Sequence, residues 1–305
     1  MGQRTSAKRH YRDIHGIILL NKATGMSSNQ AMQKLRHAIQ AKKAGHTGNL
    51  DPMATGLLPC CFGDATKVAN LLINADKTYI ARCVLGSQTD TGDATGQVIE
   101  TAPVPTLTSE EIEQACAALT GDIEQIPPMY SALHHQGQRL YDLARQGKTV
   151  ERPARPVTVH HFTLLAHTSE YLEFEIKVSK GTYIRTLLED FAAQLGTVAH
   201  MSALHRTQTG IFTAEHMLDL ATIQQRPLSE VLMPLETALV EYPRLDLSES
   251  QTQDLIHGKK ISYTIEQGIY RMFDWTDRFL GLGEVQHHQL KVKKLFYKSY
   301  SQKAV

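Results

Sequence analysis

No apolar run in the 305-residue chain approaches the roughly 18–20 residues that a helix needs to cross a bilayer, so no membrane span is expected. The start, Met1 to Arg12, is polar and basic and lacks the apolar core of a secretory leader, which makes the cytoplasm the expected location. Cysteine is scarce. Cys60, Cys61, Cys83 and Cys116 form neither a C-x-x-C pair nor paired spacings, which excludes a disulfide framework and leaves them as small buried hydrophobes. H-E-x-x-H is absent. The neighbouring pairs His134-His135, His160-His161 and His287-His288 point their side chains apart, so fifteen histidines do not make a zinc site. There is no internal repeat and no low-complexity segment.

What is present begins with charge. The net charge is only +1, yet residues 1–50 hold nine basic groups against the single acid Asp13. The tail from Val285 to Val305 holds five lysines and no acid, and Glu100 to Glu124 holds six acids and no Lys or Arg. Basic ends around an acidic middle point to a polyanion docking on selected surfaces. The second feature is the run Gly45-His46-Thr47-Gly48-Asn49-Leu50-Asp51-Pro52-Met53-Ala54-Thr55-Gly56. Pro52 disfavours helix at Asp51, and the glycines permit sharp turns or close approach by another molecule. Such a loop presents its carboxylate; an ordinary Asp-Pro turn is the plainer alternative.

Hydrophobic periodicity predicts strands over Ile14 to Leu20, Leu57 to Phe62, Lys77 to Leu85, Thr158 to Leu165 and Leu172 to Val178. In the third, Tyr79, Ala81, Cys83 and Leu85 share one face. Helices are expected after Ser27 or Ser28, over Thr66 to Ile73, from Thr108 to about Leu119, over Arg139 to Gln146, and from Gly181 or Thr182 to Leu195. Asp90 and Asp93 begin like a calcium loop, but Gly92 and Ala94 stand at the next ligand positions, so the EF-hand pattern fails. From about Leu247 the texture changes to a short helix capped by Ser248 and four β-like pieces, the size of a small appended β-domain. The alternation of strands and helices makes the class α+β.

Four separated segments carry chemistry-bearing residues: the Asp51 loop, Lys77-Thr78-Tyr79, Ser179 to Thr186 with Arg185, and Met201 to Arg206. Together with Gly16 to Lys22, Ile126 to Leu133 and Phe279 to Val285, they make the chain resemble the TruB-type bacterial tRNA pseudouridine synthases over nearly its whole length. That resemblance implies a pseudouridine synthase fold with a mixed, mainly antiparallel central sheet flanked by helices, residues 1–246. It further implies an RNA-binding insertion at about 126–156 and a small PUA-like RNA-binding β-domain, residues 247–305. It implies isomerisation of the T-loop uridine at tRNA position 55, with no metal or other cofactor.

By motif position, Asp51 is the implied catalytic aspartate, Tyr79 the tyrosine packing on the target base, and Arg185 the arginine pairing with the carboxylate. Tyr183 and Leu204 are implied to line the uracil pocket, and His46 to prop open the flipped T-loop. The chemistry calls for these types. Breaking an N-glycosidic bond needs an ionised carboxylate at the anomeric carbon, and an adjacent arginine is expected to lower its pKa by about 1–3 units. Lys22, Lys42, Lys43, Arg139, Arg145, Arg152 and Arg155, with the basic arm and tail, are the candidate phosphate contacts. The expected partner is the tRNA T-stem-loop read by shape, with no guide RNA and a monomeric enzyme. Three positions depart from the family pattern: Ala23 for a usual proline, Asn49 for a small residue, and His134 for a usual lysine. The alternatives are a tRNA-folding factor with dispensable catalysis, or an enzyme of the guide-RNA-dependent branch.

Overall fold

A computed structural model of the chain describes residues 11–296. The strands in chain order are β1 (Gly16–Lys22), β2 (Ala44–His46), β3 (Thr55–Phe62), β4 (Lys77–Leu85), β5 (Ser87–Thr89), β6 (Val98–Thr101), β7 (Gly121–Gln125), β8 (His134–His135), β9 (Gln138–Arg139), β10 (Arg155–His167), β11 (Leu172–Val178), β12 (Ala199–Thr209) and β13 (Phe212–Thr213). A second set follows: β14 (Arg244–Asp246), β15 (Ile261–Ser262), β16 (Gly268–Phe273), β17 (Phe279–Gln286) and β18 (Gln289–Leu295). The helices are α1 (Ser28–Ala38), α2 (Ala69–Ile73), α3 (Ser109–Ala118), α4 (Leu140–Arg145), α5 (Ile184–Gln194), α6 (Leu220–Gln225), α7 (Leu228–Val231) and α8 (Glu249–Ile256).

The central sheet has nine strands in the order β1-β3-β12-β4-β11-β10-β7, with β2 on β3 and β13 on β12. All its pairings are antiparallel except β12 on β3. The expected mixed, mainly antiparallel sheet is therefore present. Tyr79, Ala81 and Cys83 of β4 face a core that includes Ile112 of α3 and Leu187, Leu188 and Phe191 of α5. Phe162, Phe174 and Phe191 close that core with ring centroids 5.0–5.7 Å apart. Helix α1 begins at a reciprocal box in which Ser27 Oγ accepts from Gln30 N and Gln30 Oε1 accepts from Ser27 N. Its spacing buries Ala31, Met32 and Leu35 with Ile39 against β1 and β3, each larger side chain contributing about 1.5–3 kcal/mol.

Three differences from the expected elements have local causes. Helix α5 starts at Ile184, later than Gly181 or Thr182. Gly181 takes φ +85, Thr182 Oγ1 donates to Ser179 O at 3.0 Å, and Tyr183 stays extended. Thr66 to Ile73 is split between a 3₁₀ turn, Gly63–Lys67, and α2. The short β2 and β7 lie beside longer strands, and no run of apolar residues announces them.

The C-terminal sheet has the order β14-β16-β17-β18-β15. Its own core holds Leu245, Leu255, Met272, Val285 and Leu290. Phe273, Phe279, Leu282 and Phe296 instead join a cluster with Ile17, Leu19 and Leu57 of the first sheet. The first strand of this sheet, β14, spans Arg244–Asp246. No helix among the described residues is long and apolar enough to cross a membrane.

Candidate active site

The Asp51 loop joins β2 to β3, and its main chain is bonded at nearly every step. Ser28 Oγ accepts from Leu50 N at 2.7 Å and donates to Leu50 O at 3.2 Å. Ala54 N donates to Asp51 O at 3.0 Å, and Gly25 N to Pro52 O at 2.8 Å. Thr24 Oγ1 donates to Met53 O at 3.1 Å. Lys22 Nζ donates to Met26 O at 2.7 Å, Ala23 O at 3.0 Å and Pro52 O at 3.4 Å. The turn at Asn21 to Ser28 thus grips the loop from one side, leaving the Asp51 side chain 37% exposed.

Arg185, in the first turn of α5, reaches that carboxylate. Its Nε stands 3.1 Å from Asp51 Oδ2. Its Nη1 donates to Thr91 O at 2.7 Å and its Nη2 to Tyr130 O at 2.8 Å. The guanidinium, 4% exposed, therefore ties three loops together. Burial raises the Asp51 pKa above the usual aspartate range, Arg185 opposes this, nearby Asp93 adds to it and Lys22 opposes it. The arginine lowers this pKa, as expected, but desolvation of the carboxylate is the larger effect and sets the net direction.

Around this pair lie the other expected residues. Tyr79 and Leu204, each 8% exposed, belong to the apolar cluster that contains Leu50, Ala54 and Ile184. Tyr183 N donates to Gln125 Oε1 at 2.7 Å, and Gln125 Nε2 donates to Tyr183 O at 3.1 Å. A buried glutamine thus fixes the turn before Arg185. Burial also raises the Tyr183 pKa, so its hydroxyl stays protonated at neutral pH. His46 lies on β2 with Nδ1 buried and unpartnered. Burial lowers its pKa, so at neutral pH the ring is uncharged.

Lys22 is corrected. At 1% exposure with its ammonium on three carbonyls, it braces the loop and cannot serve as a surface phosphate contact. Burial lowers its pKa to about 8. Lys42, Lys43, Arg139, Arg145 and Arg155 are exposed and Arg152 is half-buried. Arg145 lies over the Tyr141 ring at 4.9 Å. Within residues 126–156, the β8–β9 hairpin pairs His134 with Arg139. Arg4, Lys8, Arg9, Lys298 and Lys303 lie outside the described residues. Ala23 and Asn49 are exposed; the Asn49 carbonyl accepts from Arg206 Nη1 at 3.3 Å, and nothing in the structure explains the choice of its side chain.

Two residues were missed as site residues. Asp93, 5% exposed, shapes the Thr91 turn, with Oδ1 accepting from Thr91 Oγ1, Thr95 N and Thr95 Oγ1. Arg206, 0% exposed, lies beneath the Asp51 loop. Its place two residues after Leu204 on one strand puts both on one face, a signal readable from alternation. No cluster of metal-ligating side chains occurs among the described residues. A cavity of about 620 Å³ lined by Thr78, Lys177 and Gln208 contains none of the expected site residues.

Three family models cover the chain in order. They are the TruB family pseudouridylate synthase N-terminal domain over residues 36–184, the tRNA pseudouridylate synthase B C-terminal domain over 185–240, and the pseudouridine synthase II TruB C-terminal domain over 243–296. The tRNA pseudouridine synthase B of Hydrogenovibrio crunogenus is 45% identical over 295 residues, covering 95% of this chain and 96% of its own. That of Chromohalobacter salexigens is 50% identical over 261 residues, covering 83% of each. In fold, the chain is similar to solved structures of an H/ACA RNP bound to a substrate RNA containing 2′-deoxyuridine (TM-score 0.70, 22% identity, 94% of this chain and 86% of that one) and of a Cbf5-Nop10-Gar1 complex (TM-score 0.71, 24% identity, 94% and 87%).

Proposed function

Because the chain belongs to the TruB family of pseudouridylate synthases, we propose that it isomerises uridine to pseudouridine at position 55 in the T-loop of tRNA, with Asp51 at the reacting sugar. The observation that carries this reading is the Asp51–Arg185 pair at 3.1 Å beside the apolar cluster that holds Tyr79 and Leu204. The reaction breaks the bond from C1′ to N1, turns the uracil, and forms a bond from C1′ to C5. N1 gains a proton and C5 loses one, so no redox partner is needed.

Each residue has a task in that sequence. Ionised Asp51 meets the electron-poor anomeric carbon. Arg185, immobilised by two carbonyls, holds the carboxylate in one rotamer without reorganising during the reaction. Tyr79, Tyr183 and Leu204 retain the detached base while it turns. Tyr79 also packs on the base and is the candidate to take a sugar proton. Flipping the uridine costs a few kcal/mol, and stacking on Tyr79 returns about 1–3 kcal/mol. Uncharged His46 fills the gap left in the T-loop.

Residues 1–246 form the catalytic domain in this reading, and 247–305 the PUA-like RNA-binding domain. Lys42, Lys43, Arg139, Arg145, Arg152 and Arg155 contact phosphates of the folded T-arm. The enzyme works as a cytoplasmic monomer and takes its substrate without a guide RNA. Incubating pure protein with an unmodified tRNA transcript, and mapping pseudouridine by the mass that selective chemical derivatisation adds to it, tests the activity and the stand-alone reading. Modification of the T-loop uridine alone is the expected result. An unmodified transcript overturns the activity, and modification only with added guide RNA overturns the stand-alone reading.

A further inference from the structure

We propose that Arg206 is a positioning residue that sets the height of the Asp51 loop from beneath, through the loop's main chain. This rests on the pseudouridine synthase reading above. Arg206 is the largest side chain that is fully buried. A buried guanidinium is costly unless its donors are met, and what it meets here is main chain. Its Nε donates to Leu57 O at 2.7 Å and its Nη1 to Asn49 O at 3.3 Å, while Nη2 has no partner. Asn49 enters the Asp51 turn and Leu57 leaves it, so one rigid fork spans the base of the loop.

The surroundings are shaped to let this happen. At Gly56, a Cβ would lie 2.4 Å from Arg206 O, so only glycine lets β3 press against β12 there. At Gly48, with φ +121, a Cβ would stand 3.7 Å from Arg206 Nη1 and 3.9 Å from Lys77 Cε. The loop therefore passes over the buried side chains of Arg206 and Lys77. Across the β12–β4 ladder, Arg206 is opposite Tyr79, and opposite residues share a face. Arg206 thus lies between the base-packing tyrosine and the loop that carries Asp51. Leu204, two residues earlier, faces the same way. One strand supplies both the pocket wall and the support of the catalytic loop.

Lysine cannot replace this fork, because its single ammonium lacks the planar set of separated donors by which Nε and Nη1 reach Leu57 O and Asn49 O. Misplacing a reacting group by about 1 Å can cost on the order of 100-fold in rate. The test compares Arg206→Lys and Arg206→Gln with wild type in single-turnover pseudouridine formation, tRNA Kd and Tm. The expected result is a rate lower by roughly 100-fold with Kd within about 3-fold, since the residue touches no RNA. Folded variants with the wild-type rate overturn the proposal. So does a parallel loss of rate and affinity, which marks general destabilisation.

If both variants fail to fold, Gly48→Ala decides. Its φ of +121 strains the loop main chain above Arg206 while leaving the arginine itself unchanged, and an unchanged rate overturns the proposal. If wild type makes no pseudouridine, the functional reading fails by itself. The crystal structure of Arg206→Lys then decides separately: an Asn49 carbonyl displaced from its wild-type position supports the proposal, and an unmoved loop overturns it.

Discussion

Arg185 Nε stands 3.1 Å from Asp51 Oδ2, and both other nitrogens of the same guanidinium are occupied by the carbonyls of Thr91 and Tyr130. The arginine is therefore as much a joint between loops as a counter-charge. Its position in the first turn of α5, where a cation opposes the helix dipole, is sustained by these three partners. Arg185→Lys keeps one positive charge and loses the fork. Its single-turnover rate is expected to fall by about 100-fold or more, near 3 kcal/mol, with tRNA affinity changed by less than about 3-fold. Rapid-quench kinetics beside filter binding separates the two, and an unaltered rate would show that charge alone suffices.

The approach of β12 to β3 rests on a missing side chain. A Cβ at Gly56, where φ is +99, would lie within 2.4–3.1 Å of three main-chain atoms of Arg206. Gly25, with φ +83, has nothing within 4 Å. Gly56→Ala is expected to destabilise the protein by roughly 3 kcal/mol or more, through clash and strain together. Gly25→Ala should cost only about 1 kcal/mol, from strain. Urea unfolding of the two variants gives the comparison. Equal losses would mean that φ alone governs both sites.

Much of this site could be read from residue types and order. Asp51 was marked by Pro52 and the flanking glycines, and Tyr79 by strand alternation. The helix after Ser27 or Ser28 followed from a serine placed ahead of apolar residues at helical spacing, and Ser27 is the cap. What could not be read was burial. Lysines and arginines are rarely fully buried, so Lys22 reads as a surface contact, and for Arg206 only its strand alternation with Leu204 gives the inward face, not the depth of burial. The net direction of the Asp51 pKa was out of reach for the same reason, although the lowering by Arg185 was foreseen. A motif can name the opposing charge, but it does not report how much water the fold removes. Strands β2 and β7 were illegible because short edge strands take their conformation from the neighbour they pair with.

Lys22 makes stability depend on alkaline pH. Burial holds its pKa at about 8 against 10.5 for a free lysine. Between those values the unfolded chain binds more protons than the folded one, so this lysine's contribution to stability rises with pH through that window. Buried thiols work the other way, because burial pushes Cys61, Cys83 and Cys116 up to about 12 and the unfolded chain loses its thiol protons first. The difference between wild type and Lys22→Met isolates the lysine. Their gap in unfolding free energy should widen in favour of wild type by on the order of 1–3 kcal/mol from pH 8 to 10. A constant gap would place the ammonium in water.

The proposed role of Asp51 predicts an acid limb to the activity. In that role Asp51 acts as the ionised carboxylate, and burial raises its pKa, so single-turnover rates should fall as pH drops through a midpoint above the ordinary aspartate value of about 3.9. Lys22 lies close enough to favour the ionised form. Its removal in Lys22→Met should therefore move the acid limb to higher pH, while a limb that stays put would mean that the charge is screened by water in the cleft. Asp51→Asn keeps the side chain's shape and removes the charge. Pseudouridine formation should be abolished in this variant at every pH, with tRNA binding within about 3-fold of wild type. Chemical mapping of the T-loop after long incubation checks the first point, and turnover by Asp51→Asn would remove the carboxylate from the mechanism. Expression of the same variant in cells lacking the enzyme bears on the RNA-folding alternative. Loss of rescue ties the cellular role to Asp51 chemistry, and full rescue would assign that role to tRNA folding.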